Sequence, residues 1–172
     1  TLLISFYDIL FGFPAPVIFA LLLNEVRGQK FKKTVQTITY LPHFISLVVI
    51  CGMIVDFFGR TGIISVMLSA FTGEPKNYMS DPKYFRRIYV ITNIWQNIGW
   101  DSIIYIAAIA GIDQEMYEAA VIDGAGRFRQ IVSITIPGMA STIIIMLIMR
   151  IGQMLNVGYE KIILLYNSGT YE

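Results

Sequence analysis

Apolar residues along the chain fall into four long runs, Leu2 to Leu23, Thr34 to Phe58, Ile88 to Ile112 and Met139 to Val157, separated by polar or mixed connections. Each is close to the roughly 20 residues that a helix needs to cross the hydrocarbon core of a bilayer. Backbone groups in lipid must be satisfied internally, which leaves only helices or closed barrels. The runs are too long and too little alternating for barrel strands. The pattern therefore predicts an all-α, multi-pass transmembrane helical bundle, one domain over 1–172, with four membrane helices.

Two connections carry patterns of their own. In the 59–87 loop, the stretch GIISVMLSAFTGEP places Ile63, Ile64, Met67, Leu68 and Phe71 at helical spacing, which predicts a short amphipathic helix along the outer face and then a turn at GEPKN. The 113–138 connection contains EAAVIDGAGRFRQIVSITIPG. Asp113 is placed to cap a helix, and the acidic Glu115 and Glu118 suit its first turns. Gly124 and Gly126 allow a bend. Beyond them Phe128, Ile131, Val132 and Thr135 share one side while Arg127, Gln130 and Ile134 turn elsewhere, and Pro137 is expected to end the piece. The expectation is two short helices joined at glycine, with Ala119 and Ala120 forming a small flat face that another protein can approach.

Composition supports a membrane protein. Of 172 residues, 55% are hydrophobic and 15% charged, and the mean hydropathy is +0.62, above that of ordinary soluble domains. A net charge of +1 gives no basis for nucleic-acid binding. The single cysteine, Cys51, sits in an apolar run and reads as a packing thiol. The sequence holds no His/Cys cluster for a metal, no glycine-rich phosphate loop and no Ser/His/Asp constellation, so neither a catalytic residue nor a cofactor is expected. Pro14, Pro16 and Pro42 are expected to kink their helices, and His43 to be packed and hydrogen-bonded rather than to relay protons. The chain opens on TLLIS and closes on YNSGTYE, which suggests an internal piece of a longer bundle.

Charge sets orientation. Arg27, Lys30, Lys32 and Lys33 crowd one short connection and place it in the cytoplasm. Parity then puts 59–87 outside, although Arg60, Lys76, Lys83, Arg86 and Arg87 lie there beside Glu74 and Asp81.

The third run is interrupted by Asn93, Asn97 and Asp101, which recur every four residues and share a helix face, with Trp100 beside them and Trp95 and Gln96 flanking. Two readings stand. Amides, a carboxylate and indole faces are what a sugar binds, which makes Asn93, Gln96, Asn97, Trp100, Asp101 and Arg150 a candidate substrate path. Alternatively the stripe only glues helices together, with Trp95 in the interfacial belt. At a rise of about 1.5 Å per residue, Asp101 and Arg150 both lie roughly 15 Å from the cytoplasmic surface. A charge at that depth is costly, so a mutual pair or a shared water is expected.

Glu118, Ala119, Ala120, Gly124, Ile134, Ile136 and Pro137 occur at the spacing of the signature of permease subunits of bacterial ATP-binding-cassette importers, which this chain resembles; Ile136 stands where the family usually has Leu. GFPAPVIFALLLNEVRGQKFKKTVQTITYLPHFIS is similar to the first two conserved helices of that family, and GIDQEMYEAAVIDGA looks most like its sugar and complex-oligosaccharide members. The resemblance implies that the 118–137 loop is a cytoplasmic coupling helix seated in the ATPase, with Glu118, Ala119, Ala120, Asp123, Gly124, Ile134 and Pro137 as the coupling set. It further implies an ATP-driven carbohydrate importer of the bacterial cell membrane. Its partners would be two ATP-binding cassette subunits, a second permease, an extracytoplasmic solute-binding protein and membrane lipid, with hydrolysis on the separate ATPase. The rival expectations are an ion-coupled secondary transporter working through Asp8, Asp56, Asp101 or Arg150, and a non-transporting membrane scaffold.

Overall fold

A computed structural model describes residues 2–72, 77–153 and 159–165. Those residues are mostly helical, without a strand among them. The first apolar run is one bent span: α1 (Leu2–Tyr7) passes through a π-helical turn at Asp8–Gly12 into α2 (Pro14–Glu25). The turn has a cause in the sequence. A proline ring clashes with the carbonyl four residues upstream, and the wider π-turn immediately before Pro14 moves that carbonyl aside.

The second run, expected as one helix over Thr34 to Phe58, is divided. Helix α3 (Gln29–Tyr40) tightens into a 3-10 turn at Leu41–Phe44, around Pro42, and the chain becomes extended at Ile45 before α4 (Leu47–Phe58). Helix α3 therefore begins in the basic connection, and its polar side chains leave it without a buried residue. The helix expected in the outer loop is present as α5 (Ile63–Thr72), and Leu47–Met67 taken together is long and apolar enough to cross a membrane. The side chains of Leu68 and Phe71 and residues 73–76 of the expected turn lie outside the described residues.

Helix α6 (Pro82–Ala110) is the axis of the bundle, 29 residues or about 43 Å long. It starts six residues before the apolar run does, because Asp81 caps it, accepting from the Lys83 amide at 2.9 Å, and Pro82 occupies its first position. Two apolar cores pack on it. One joins Ile4, Ile50, Cys51, Ile54, Phe85, Tyr89 and Val90 near its start; the other joins Ala20, Tyr105, Ile109 and Met139 near its end. Between them, at Gly99, α3 crosses so closely that a Cβ would overlap the Thr39 carbonyl.

Beyond α6 come α7 (Gln114–Ile122), α8 (Arg127–Gln130), a second π-turn at Ile131–Thr135, α9 (Ile136–Gly138), α10 (Ala140–Gly152) and α11 (Tyr159–Leu165). Pro137 was expected to end its helix. Instead the chain stays helical through it, again by way of a π-turn directly upstream, and the 60° bend falls at Met139. The part of the fourth run from 154 to Val157 lies outside the described residues.

Candidate functional site

A chain of polar side chains lies between the two apolar cores, with Asp8 buried and Arg150, Asn93, Asn97 and His43 half-buried. The π-turn turns Asp8 inward, to 4% exposure, and Arg150 from α10 donates to its Oδ2 at 2.6 Å. Asn93 on α6 donates to the other carboxylate oxygen at 2.7 Å. One turn along, Asn97 donates to Asn93 at the backbone carbonyl (3.1 Å) and the side-chain oxygen (3.2 Å). His43 Nδ1 donates in turn to Asn97 Oδ1 at 3.1 Å, and its ring lies flat on Trp100, centroids 4.6 Å apart and 2° from parallel. Four segments distant in sequence are thereby tied through one continuous set of hydrogen bonds, and the carboxylate has both a cation and an amide to offset its desolvation. Gly12 makes room for this: a Cβ there would sit 2.9 Å from Asp8 Oδ1.

The expected partnership of Asp101 with Arg150 is thus corrected in its direct form. Arg150 makes its ion pair with Asp8, a residue that entered the sequence reading only as an ion-coupling candidate. Asp101 and Arg150 line a common cavity of about 10 Å³ with Gly12, Asn93 and Asn97, the space of about one water molecule. The role of Asp8 is hidden in the sequence because its partner is 142 residues away. The signal was there in the form of two opposite charges within apolar runs. Gln96 is half-buried but outside this chain of bonds, and Trp95 is half-exposed. His43 is packed and hydrogen-bonded.

The second assembly is an exposed elbow following α6. Asp113 caps α7, accepting from the Glu115 amide at 3.0 Å. At the other end the Ala125 amide donates to the Ala120 carbonyl (2.8 Å) and the Gly124 amide to Val121 (3.0 Å), with Gly124 at φ +75°. This is the Schellman closure, whose left-handed residue favours glycine. Only one of the two glycines is conformationally demanded, since Gly126 has φ −67° and open space about its Cα. Gln130 donates to the Ala125 carbonyl, and Tyr117 and Thr135 share a hydrogen bond of 2.9 Å across the bend.

Of the expected coupling residues, Glu118, Ala119, Asp123 and Gly124 are exposed on the elbow, Ala120 is half-buried, Ile134 is buried in the π-turn and Pro137 is exposed on α9. The side predicted from Phe128, Ile131, Val132 and Thr135 does not form: Phe128 is 80% exposed while Ile134 and Thr135 are buried, because the π-turn shifts the helical phase. Ile122, 86% exposed, and Phe128 project from the elbow. The sequence pattern places Phe128 only on that packed side and does not mark Ile122; two bulky apolar residues beside DGAG in an otherwise polar passage are the signal for their exposure. Arg127 reaches Glu25 at 3.4 Å, so the elbow and the basic α2–α3 connection lie at one end of the bundle, facing across a cavity of about 380 Å³.

A helical bundle with a polar network between two apolar cores, and an exposed capped elbow at one end, has the architecture of a membrane transport subunit. The chain belongs to the family of binding-protein-dependent transport system inner membrane components, whose model matches residues 2–158. It is 47% identical over 169 residues to Protein LplB of Bacillus subtilis (strain 168), covering 98% of this chain and 53% of that one. It is 42% identical to the polygalacturonan/rhamnogalacturonan transport system permease protein YteP of the same organism, covering 100% of this chain and 54% of that one. Among solved structures it matches, with a TM-score of 0.95 and 45% identity, a chain of a bacterial ABC transporter involved in import of the acidic polysaccharide alginate, covering 99% of this chain and 60% of that one. The chain spans about half the length of these curated relatives.

Proposed function

We propose that this chain is part of the permease of an ATP-driven carbohydrate importer in a bacterial membrane, and that it couples to a separate ATPase through the α7–α8 elbow. The observation that carries the reading is that elbow: a Schellman-closed helix pair that exposes Glu118, Ala119, Ile122 and Phe128 at the end of the central helix. Its backbone and its Tyr117–Thr135 bond form a stiff lever rather than a loose loop. A push on α7 is transmitted to the π-turn and α10, and α10 carries Arg150 into the polar network. The carbohydrate cargo follows from the relatives' polysaccharide systems. The solved complex of the alginate transporter with a pentasaccharide-bound periplasmic protein supports a solute-binding partner. A second permease and two ATPase subunits complete the machine. Asn97, Trp100 and Asp101 form the polar face for sugar hydroxyls, and the ion-coupled alternative is weakened because Asp8 and Arg150 occupy each other.

The test is reconstitution of the complete importer with its ATPase. Saccharide uptake that requires ATP, and that is abolished by Glu118→Arg with the subunit still inserted, is the expected result. Uptake driven by an ion gradient without ATP would refute the reading.

A further inference from the structure

Helix α11 packs against α4 and closes one side of the first apolar core with Ile162 and Leu165. Lys161 lies one helical turn before Leu165 and shares its inward side, while Glu160 beside it is exposed. Lys161 is 3% exposed. Its Nζ sits 4.9 Å from the centroid of the Tyr89 ring, and no hydrogen-bond acceptor reaches it among the described residues. Long cationic side chains ordinarily lay their stem on apolar surface and carry the head out to water. This one carries it inward, and a ring face makes good only part of the hydration that an ammonium loses. Leucine or methionine would close the same core without that cost. A buried cation kept without an acceptor points to an acceptor that reaches it in another arrangement of the bundle.

Asp8 fits that part. Asn93, which holds Asp8 Oδ1, is one turn of α6 beyond Tyr89, about 6 Å along the axis, so carboxylate and ammonium stand at adjacent levels of one helix face. The electrostatic neighbours of Lys161 are Cys51 and Asp8, and of these Asp8 is the carboxylate. Its present cation, Arg150, rides on α10, beyond the elbow and the bend at Met139. Asp8 itself opens a π-turn, a local rewinding of the kind found at functional sites. Each pairing has its own advantage. Arg150 holds Asp8 at 2.6 Å but leaves Lys161 buried and unpaired; Lys161 on Asp8 would leave out Arg150, whose side chain is 32% exposed and can take up water. One buried carboxylate between two such cations is a two-state element.

We infer that Asp8 exchanges Arg150 for Lys161 during the transport cycle, which makes Lys161 a positioning residue that draws α11 onto the bundle when α10 lets go. One ion pair breaks and one forms, and no proton needs to leave. This rests on the ATP-driven importer reading and adds to it a link from the elbow to α11.

The experiment uses the complete importer with its ATPase, nucleotide-free and trapped with ADP and vanadate. Asp8→Asn, Arg150→Met and Lys161→Met are made singly and in the two pairs that contain Asp8→Asn, and unfolding midpoints are read in both states. Asp8 is expected to couple to Arg150 in one state and to Lys161 in the other, each coupling seen as a double-variant shift smaller than the sum of the singles. Lys161→Met should lower the maximal uptake rate about tenfold at unchanged KM, the scale of a two-state coupling, and Lys161→Arg, which keeps the charge, should restore most of it. The uptake probes are oligogalacturonate and a maltooligosaccharide.

Shifts that add for Asp8 and Lys161 in both states overturn the exchange, as does parental uptake by Lys161→Met. Loss of folded subunit on Lys161→Met assigns the ammonium a fixed structural partner and also refutes it. A parent complex that takes up neither probe with ATP overturns the carbohydrate reading alone, because the couplings need no cargo.

Discussion

Replacing Arg150 with methionine removes the cation from Asp8 while keeping most of the side chain's volume. The carboxylate left behind is 4% exposed, with Asn93 as its remaining hydrogen-bond partner among the described residues. Breaking a buried ion pair by removing one member costs about 3–5 kcal/mol, because the survivor stays desolvated. The Arg150 side chain is 32% exposed against 6% for Asp8, and water reaching its side of the pair places the loss near the lower end, about 3 kcal/mol. Asp8→Asn should cost less, about 1–2 kcal/mol, since the guanidinium it abandons can hydrate. The double variant leaves no buried charge behind and should lose about 2 kcal/mol less than the sum of the singles. Thermal unfolding of the intact transporter in detergent, followed by tryptophan fluorescence, gives the cycle as midpoint shifts. Shifts that simply add would show that Asp8 and Arg150 do not stabilise one another. A larger loss from Asp101→Asn than from Asp8→Asn would return the partnership to Asp101.

Three further outcomes are expected. Gly99→Ala should destabilise the subunit by about 3 kcal/mol, seen as loss of folded material on size-exclusion chromatography, since the obstructing group is the Thr39 backbone and cannot turn away. Gly124→Ala should cost about 1–2 kcal/mol through its left-handed backbone, and Gly126→Ala close to nothing, a contrast readable in thermal midpoints and ATPase co-purification. Phe128→Ser and Ile122→Ser should weaken ATPase recruitment about tenfold each without lowering the unfolding midpoint, because both side chains are almost wholly exposed.

What the sequence made legible followed from period and composition: the helical class, a long helix through the third apolar run, the Asp113 cap, the bend at Gly124 and the polar face of Asn93 and Asn97. Each is set by residues close together in the chain. What it concealed depended on encounters between distant segments. Asp8 meets Arg150 only because the bundle folds, and Gly99 is required only because Thr39 passes over it. Pro137 misled for a different reason. Proline forbids an ordinary helical turn upstream but not a wider one, and that choice is settled by how Ile134 and Thr135 pack.

Both π-turns carry one residue more than the α-helix that could replace them. Rewinding the same residues of Asp8–Gly12 as ordinary α-helix would let the usual hydrogen bonds close, yet it would swing everything upstream through about 100° about the helix axis. Ile4 and Ser5, now buried at 8% and 0%, would rotate away from the bundle, and the exposed Leu3 or Phe6 would come round in their place. The surplus residue therefore works as a phase adjuster. It lets one stretch of chain present its apolar side to the core above and its carboxylate to α6 and α10 below, a combination that no uninterrupted 3.6-residue repeat could satisfy at these positions.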